Sequence, residues 1–228
     1  MKSINIILSE KKWNQDLIFI LEKQHKSTKW LLINSKNDFN SSFLSTFKIN
    51  KIFIPHWSHI IPEDIYAKYE CIVFHMTDLP FGRGGSPLQN LIVRGHHKTK
   101  ISALRVVKEL DAGPIYLKRE LSLKGTAQEI FTRSNSIIEV MISEIIAKDL
   151  RPKDQEGEIV NFKRRKPQDS NISELDDLKK VYDYIRMLDA EGYPSAFLET
   201  SNLKLEFTNA NYNNADEIIT AHVRIFKK

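Results

Sequence analysis

The sequence predicts an α/β protein with a doubly wound, mostly parallel sheet and a small C-terminal unit made of a helix and a β-hairpin. Three observations predict it. Short apolar runs alternate with amphipathic stretches over the first 75 residues, the pattern of strands separated by helices. The 228 residues suffice for one full core and a smaller appended unit. Residues 152–157 are charged and polar and read as a linker; the periodicity changes after them. The expected division is a main domain at 1–150 and a small one at 151–228.

Residues 4–8 read as a buried strand. A helix follows at 13–23, with Trp13, Leu17, Ile20 and Leu21 at helical spacing. Residues 30–33 and 52–54 are short strands, 63–68 a helical turn after Pro62, and 71–74 a strand that ends at His75. Ligands of such sheets bind beyond the C-terminal strand ends, so His75 stands where a ligand is expected. The loop after it contains an arginine between glycines and then Ser86-Pro87-Leu88-Gln89, a capping box with proline at the first helical position. That helix runs to Arg94 and stops at Gly95; its free N–H groups face the loop, where an anion could sit. Residues 101–107 and 115–121 read as strands around a turn at 110–114. A long helix at 126–146 carries Ile130, Ile137, Ile138, Met141 and Ile145 on one side. Beyond the linker, Leu175, Leu178, Val181, Tyr182, Ile185 and Leu188 have helical period, and Gly192-Tyr193-Pro194 ends that helix. Residues 203–207 and 218–225 alternate as a hairpin with a polar turn at 209–214. Its exposed strands could serve a homodimer interface.

Composition narrows the function classes. Residues 1–148 hold 21 basic and 14 acidic residues, a net of +7, whereas 149–228 hold 13 and 15, a net of −2. The basic excess of the first part suits an anionic small molecule as well as nucleic acid, and the one basic cluster, Lys163-Arg164-Arg165-Lys166, is short and lies in the acidic part. The single cysteine, Cys71, excludes an intrachain disulfide and points to a reducing compartment. No apolar stretch approaches the ~18 residues needed to cross a bilayer, and the run at 4–8 is too short for a signal-peptide core. The expectation is a soluble cytoplasmic protein without a membrane partner.

Several chemistries lack their motifs. FGRGGSP (81–87) has no G-x-x-x-x-G-K-[ST], and the first strand is followed by SEKKWN rather than G-x-G-x-x-G, which argues against a P-loop and a dinucleotide site. His56 with His59, and His96 with His97, come without the cysteines or carboxylates of a zinc site. No G-x-S-x-G elbow is present. What remains is His75 at one strand end and Asp111 in a turn after another, a candidate acid/base pair in which the carboxylate holds the imidazole. On periodicity alone the plainer reading prevails: a satisfied, half-buried histidine and an aspartate in a turn.

The two blocks read together change that weighting. FHMTDLPFGRGGSPLQNLIVRG (74–95) resembles the signature of the folate-dependent formyltransferase family, N-x-H-x-S-L-L-P followed by x-x-R-G-x-x-P. His75 takes the histidine position, Thr77 the serine, Leu79-Pro80 the Leu-Pro, and Arg83, Gly84 and Pro87 the R-G-x-x-P. LDAGPIYLK (110–118) resembles the family's L-D-x-G-P-[IV] segment, with Asp111 as its aspartate 36 residues after His75. RKPQDSNI (165–172) and IRMLDAEGYPSAF (185–197) are similar, more loosely, to the C-terminal part of sugar N-formyltransferases. One departure stands out: the family asparagine two residues before the histidine is Val73. Losing such an oxyanion donor costs on the order of 10²–10³ in rate; Thr77, Asn90 or a backbone N–H of the glycine loop is expected to take its place.

The resemblance implies a Rossmann-like formyltransferase fold and acyl transfer without a metal. N10-formyltetrahydrofolate is the implied co-substrate, with its pterin near Ile60, Ile61 and Pro62 and near Leu110 and Asp111. His75, oriented by Asp111 and accompanied by Thr77, is the implied proton carrier. For the acceptor, the short and net-negative C-terminal part is taken to argue against tRNA, and GYPSAF against glycinamide ribonucleotide. The expected acceptor is therefore a nucleotide-linked amino-deoxysugar of a surface-glycan pathway, with Arg83 and Gly84 facing its diphosphate and Tyr193 stacking on its base or sugar, and no nucleic-acid partner. The alternatives are a formyltetrahydrofolate hydrolase, a methionyl-tRNA formyltransferase and a non-catalytic folate- or nucleotide-binding protein.

Overall fold

The structure, a computed structural model, describes residues 3–11 and 14–228; Trp13, expected on the first helix, lies outside the described residues. Along the chain come β1 (Ile4–Ser9), α1 (Gln15–Gln24), β2 (Lys29–Ile33), α2 (Ser41–Leu44), β3 (Ile49–His56), α3 (Glu63–Tyr66) and β4 (Cys71–His75). There follow β5 (Phe81–Gly84), α4 (Pro87–Val93), β6 (Lys98–Arg105), β7 (Ile115–Ser122), α5 (Ala127–Ala147), β8 (Val160–Phe162), α6 (Leu178–Arg186), β9 (Ala196–Glu199), β10 (Leu203–Asn213) and β11 (Ile218–Lys227). The chain forms two compact units, each assembled from separate stretches. Met1–Arg83, Lys100–Leu121 and Thr132–Asn161 make the first; Gly84–Thr99, Ser122–Phe131 and Phe162–Lys228 make the second.

A six-stranded sheet in the order β2-β1-β3-β4-β6-β7 organises the first unit. β2, β1, β3 and β4 pair in parallel, and β6 runs antiparallel to β4. Ile6, Ile7 and Leu8 of β1 are all fully buried. Both faces of the strand are covered, which is why the sequence shows a continuous apolar run there and not an alternation. One face packs Ile6, Leu8, Ile52, Ile54 and Cys71 with Ile65 of α3. The register Ile54↔Val73 leaves His56 and His75 at the C-terminal ends of adjacent strands. On α5 the fully buried residues include Ile138, Met141, Ile142 and Ile145; Ile137 instead lines an open groove with Val140. Among the described residues no helix is long and apolar enough to cross a membrane.

The second unit holds α4, α6 and an antiparallel sheet in the order β11-β10-β9. Two expectations are corrected here. The polar stretch 209–214 is not the hairpin turn. β10 continues through a bulge between Thr208 and Asn211, with Asn209 at φ 50, and pairs as far as Asn213↔Ile218. The reversal comes after it, where Asn213 Oδ1 accepts from the Ala215 and Asp216 amides, an Asx-type turn; polar composition marked an exposed strand as well as a turn. Nor is there a capping box on α4. Ser86 adopts φ 51, ψ 50 and makes no cap bond, because an N-cap hydroxyl reaches back only from extended backbone. Its Oγ accepts from Arg165 N, and Gln89 Nε2 donates to Met187 O. Pro87 starts the helix and Gly95, at φ 78, follows it, as expected.

Candidate active site

His75 closes β4, nearly buried. Its Nε2 lies 2.7 Å from Gly82 O. A carbonyl only accepts, so Nε2 carries a proton. Thr77, fully buried, donates from Oγ1 to the same carbonyl at 3.3 Å. The other ring nitrogen, Nδ1, faces Asp111 Oδ2 at 3.6 Å, with both side chains 9% exposed. That distance is too long for a hydrogen bond and short enough for strong attraction when the ring is charged. The two ring nitrogens therefore face a carbonyl on one side and a carboxylate on the other. Ser102, the register partner of His75 on β6, fixes the loop that follows. Its Oγ donates to Thr77 O at 2.7 Å and accepts from Leu79 N at 3.3 Å.

Asp111 sits in a tight turn at φ 54, a left-handed conformation that aspartate tolerates better than most residues but that still needs support. Gly113 supplies part of it. A Cβ there would lie 1.7 Å from Arg105 O, so only glycine lets the turn press against β6, where Arg105 N donates to Pro114 O. Leu110 on this turn is 59% exposed and Ile60 is 76% exposed. Ile61 points into the core, and Pro62 O receives the Ile65 and Tyr66 amides at the start of α3.

Arg83 is held by a residue that the sequence reading passed over. Its Nε and Nη2 donate to Gln155 Oε1 at 3.1 and 2.8 Å. Gln155 Nε2 donates in turn to Asp111 O and Gly113 O, both at 2.8 Å. Residues 152–157 are thus a strap rather than a linker, fastened also by reciprocal backbone bonds between Ile115 and Lys153. Asp78 is anchored by Lys118 and by Lys100 at 2.9 Å. Burial pushes its carboxyl up, but the two lysines outweigh burial and hold it below the usual aspartate range.

Gly84 and Tyr193 belong to the second unit. Gly84 has φ 104, and a Cβ on it would lie 2.4 Å from Phe162 O, so the position requires glycine for backbone reasons. Tyr193 stacks on Phe131 with ring centroids 5.2 Å apart. Of the side chains expected to stand in for the asparagine at Val73, Thr77 is committed to Gly82 O. Asn90 Nδ2 donates to the carbonyls of Gly85, Ser86 and Lys163. His56 bonds Asn135 Oδ1 and His59 faces Glu10; among the described residues no three His, Cys, Asp or Glu side chains converge as metal ligands.

A solved structure named methionyl-tRNA formyltransferase, from Clostridium thermocellum, is 47% identical to this chain, covers all of both chains and superposes with a TM-score of 0.96. The chain belongs to the formyltransferase family. The family model for the methionyl-tRNA formyltransferase C-terminal domain matches residues 167–226. The methionyl-tRNA formyltransferase of Thermotoga maritima is 27% identical over 184 residues, 77% of this chain and 59% of that one; this formyltransferase chain spans about three-fifths of the length of such curated relatives. A sugar N-formyltransferase from Shewanella shares the fold, with a TM-score of 0.64 at 14% identity.

These likenesses overturn two expectations: the nucleotide-linked amino-deoxysugar as acceptor, and the exclusion of nucleic acid. The end-to-end match carries the name methionyl-tRNA formyltransferase, whereas the sugar-named structure is similar in fold alone. The charge argument failed for a physical reason. A segment's net charge does not describe any one of its faces. In the second unit Arg186 pairs with Asp183, Lys204 with Glu206 and Lys228 with Glu199, while Lys163, Arg164 and Lys166 stay exposed in one short run.

Proposed function

We propose that this chain transfers a formyl group from N10-formyltetrahydrofolate to the α-amine of methionyl-tRNA. The observation that carries the reading is the end-to-end likeness to the Clostridium thermocellum protein of that name, joined to a histidine at the end of β4 set face to face with a carboxylate in the turn after β6. The folate supplies the formyl carbon. Exposed Ile60 and Leu110 offer apolar contact to a pterin, and the backbone of Ile61, Pro62 and the Leu110–Asp111 turn offers polar groups at its edge. As the neutral amine attacks, it must lose a proton and N10 of the departing folate must gain one. His75 takes the first at Nδ1, the nitrogen left unprotonated by the bond to Gly82 O, and the positive ring is stabilised by Asp111 and the Gly82 carbonyl. The same ring returns a proton to the leaving nitrogen. Thr77 donates to the same Gly82 carbonyl and so helps fix the acceptor of the ring. Arg83 is the residue proposed to face the acceptor's phosphates, and Tyr193 stacks on Phe131. Both substrates belong to the cytoplasm, and so does the proposed reaction.

The test mixes purified protein with N10-formyltetrahydrofolate and methionyl-tRNA and follows both tetrahydrofolate and formyl-methionyl-tRNA. Stoichiometric appearance of the two, abolished in His75→Ala, supports the reading. Release of formate without acceptor, at a rate indifferent to methionyl-tRNA, would show a hydrolase instead. Tight folate binding with neither product would show that Val73 marks a lost activity.

A further inference from the structure

We propose that Gln155 is a positioning residue for the formyl transfer proposed above, fixing the turn that aims Asp111 at His75. The amide is fully used: both lone pairs of Oε1 accept from Arg83 and both hydrogens of Nε2 reach backbone carbonyls of the turn, Asp111 O and Gly113 O. No other common side chain of that length offers two acceptor sites and two donors on one plane.

The turn needs such a hold. Asp111 stands at positive φ, and the fit of Gly113 against Arg105 O pins the turn from the β6 side. Gln155 pins it from the other side and connects it to Arg83 at the end of the loop that begins at His75. The loop is thereby tied at both ends of the acid/base pair. Gly82, next to Arg83 in the chain, accepts from His75 Nε2, and Asp111, whose carbonyl Gln155 holds, faces His75 Nδ1 at 3.6 Å. Loss of the amide donors releases the turn on the aspartate side of the ring. Gln155 bonds Arg83 and the backbone of the turn rather than the imidazole or the carboxylate, and acts through the position of Asp111.

The experiment compares Gln155→Met, which keeps length and removes every hydrogen bond, with Gln155→Glu, which keeps the acceptors for Arg83 and loses the donors to the turn. Each is made in the wild-type and the Asp111→Asn background. The expected result is a fall in kcat of about 10–100-fold, with KM for methionyl-tRNA within about threefold, as for a reacting group misplaced by about 1 Å. Gln155→Glu should fall with Gln155→Met. In Asp111→Asn the same substitutions should cost markedly less than in wild type, because the residue acts through the turn that carries the aspartate. Equal losses in both backgrounds, or full activity in Gln155→Met, would overturn the proposal. Hydrogen exchange gives a readout that does not depend on turnover: Gln155→Met should speed exchange of amides 110–115 and leave β1 and β3 unchanged. Unchanged exchange in the turn sinks the proposal even if the protein transfers no formyl group, so its failure is distinct from failure of the functional reading.

Discussion

Gly82 O receives two donors, His75 Nε2 and Thr77 Oγ1, and this small arrangement decides which nitrogen of His75 is free to work. Replacement of His75 by alanine should lower kcat roughly 10²–10⁴-fold, the usual worth of a general acid/base, while folate binding measured by equilibrium fluorescence stays within a few-fold. A second histidine tests stability. Burial holds the His56 ring down to about 4, against a partly opposing hydrogen bond to Asn135 and with further lowering by Lys11. The unfolded ring takes a proton near pH 6.5 and the folded ring only near pH 4. Its contribution is therefore complete above about pH 6.5 and is lost as pH falls toward 4, a loss on the order of 2–3 kcal/mol. Denaturant titrations at pH 7.5 and pH 5 should show a larger drop in wild type than in His56→Gln; equal drops would refute this assignment. His75 and Asp111 were legible because each sits in a short block with a recognisable pattern. Gln155 was not, because its partners lie 72 and 44 residues away, and nothing local marks a glutamine that reaches so far.

At the scale of elements, the far end of the sheet carries a buried ion pair. Lys51 on β3 donates to Glu70 Oε1 at 2.6 Å, and Tyr116 on β7 donates to the same oxygen at 2.7 Å. Burial raises the Glu70 carboxyl, but these two donors outweigh it and keep it below the ordinary glutamate range. Lys51 is 8% exposed, so Glu70→Ala leaves a charge with poor access to water. The expected cost is about 2–3 kcal/mol, under the 3–5 of a fully enclosed pair because the Glu70 side chain is 27% exposed; urea unfolding measures it. On the turn after β6, Gly113→Ala should destabilise by more than about 2 kcal/mol, since the new Cβ meets backbone that cannot step aside, and a wild-type melting curve for that variant would refute the packing. Strands were read well from sequence because burial on both faces leaves a continuous apolar run. The capping box on Ser86 and the hairpin turn at 209–214 were misread, because tertiary hydrogen bonds to Arg165 and Met187, and a bulge at Asn209, overrode local preference.

For the whole molecule, the proposed acceptor makes a prediction that a small substrate would not. If methionyl-tRNA is bound through several phosphates, its KM should rise at least about tenfold between about 50 and about 200 mM salt, while KM for the folate changes little. A flat response would point to an acceptor without a polyanionic backbone. Replacing the exposed Lys163 and Arg164 by glutamine should reduce the salt slope by about one to two units. The sequence by itself determined the α/β class, the mostly parallel sheet and the two blocks that contain His75 and Asp111, because alternation of apolar runs and short-range motifs are local properties. Tertiary structure alone decided that the stretch 152–157 is a strap, that Ser86 and Gln89 face partners far along the chain, and that the proton of His75 lies on Nε2. Those depend on which atoms meet across long loops, and a hydrogen bond formed over 72 residues leaves no trace in the residues between.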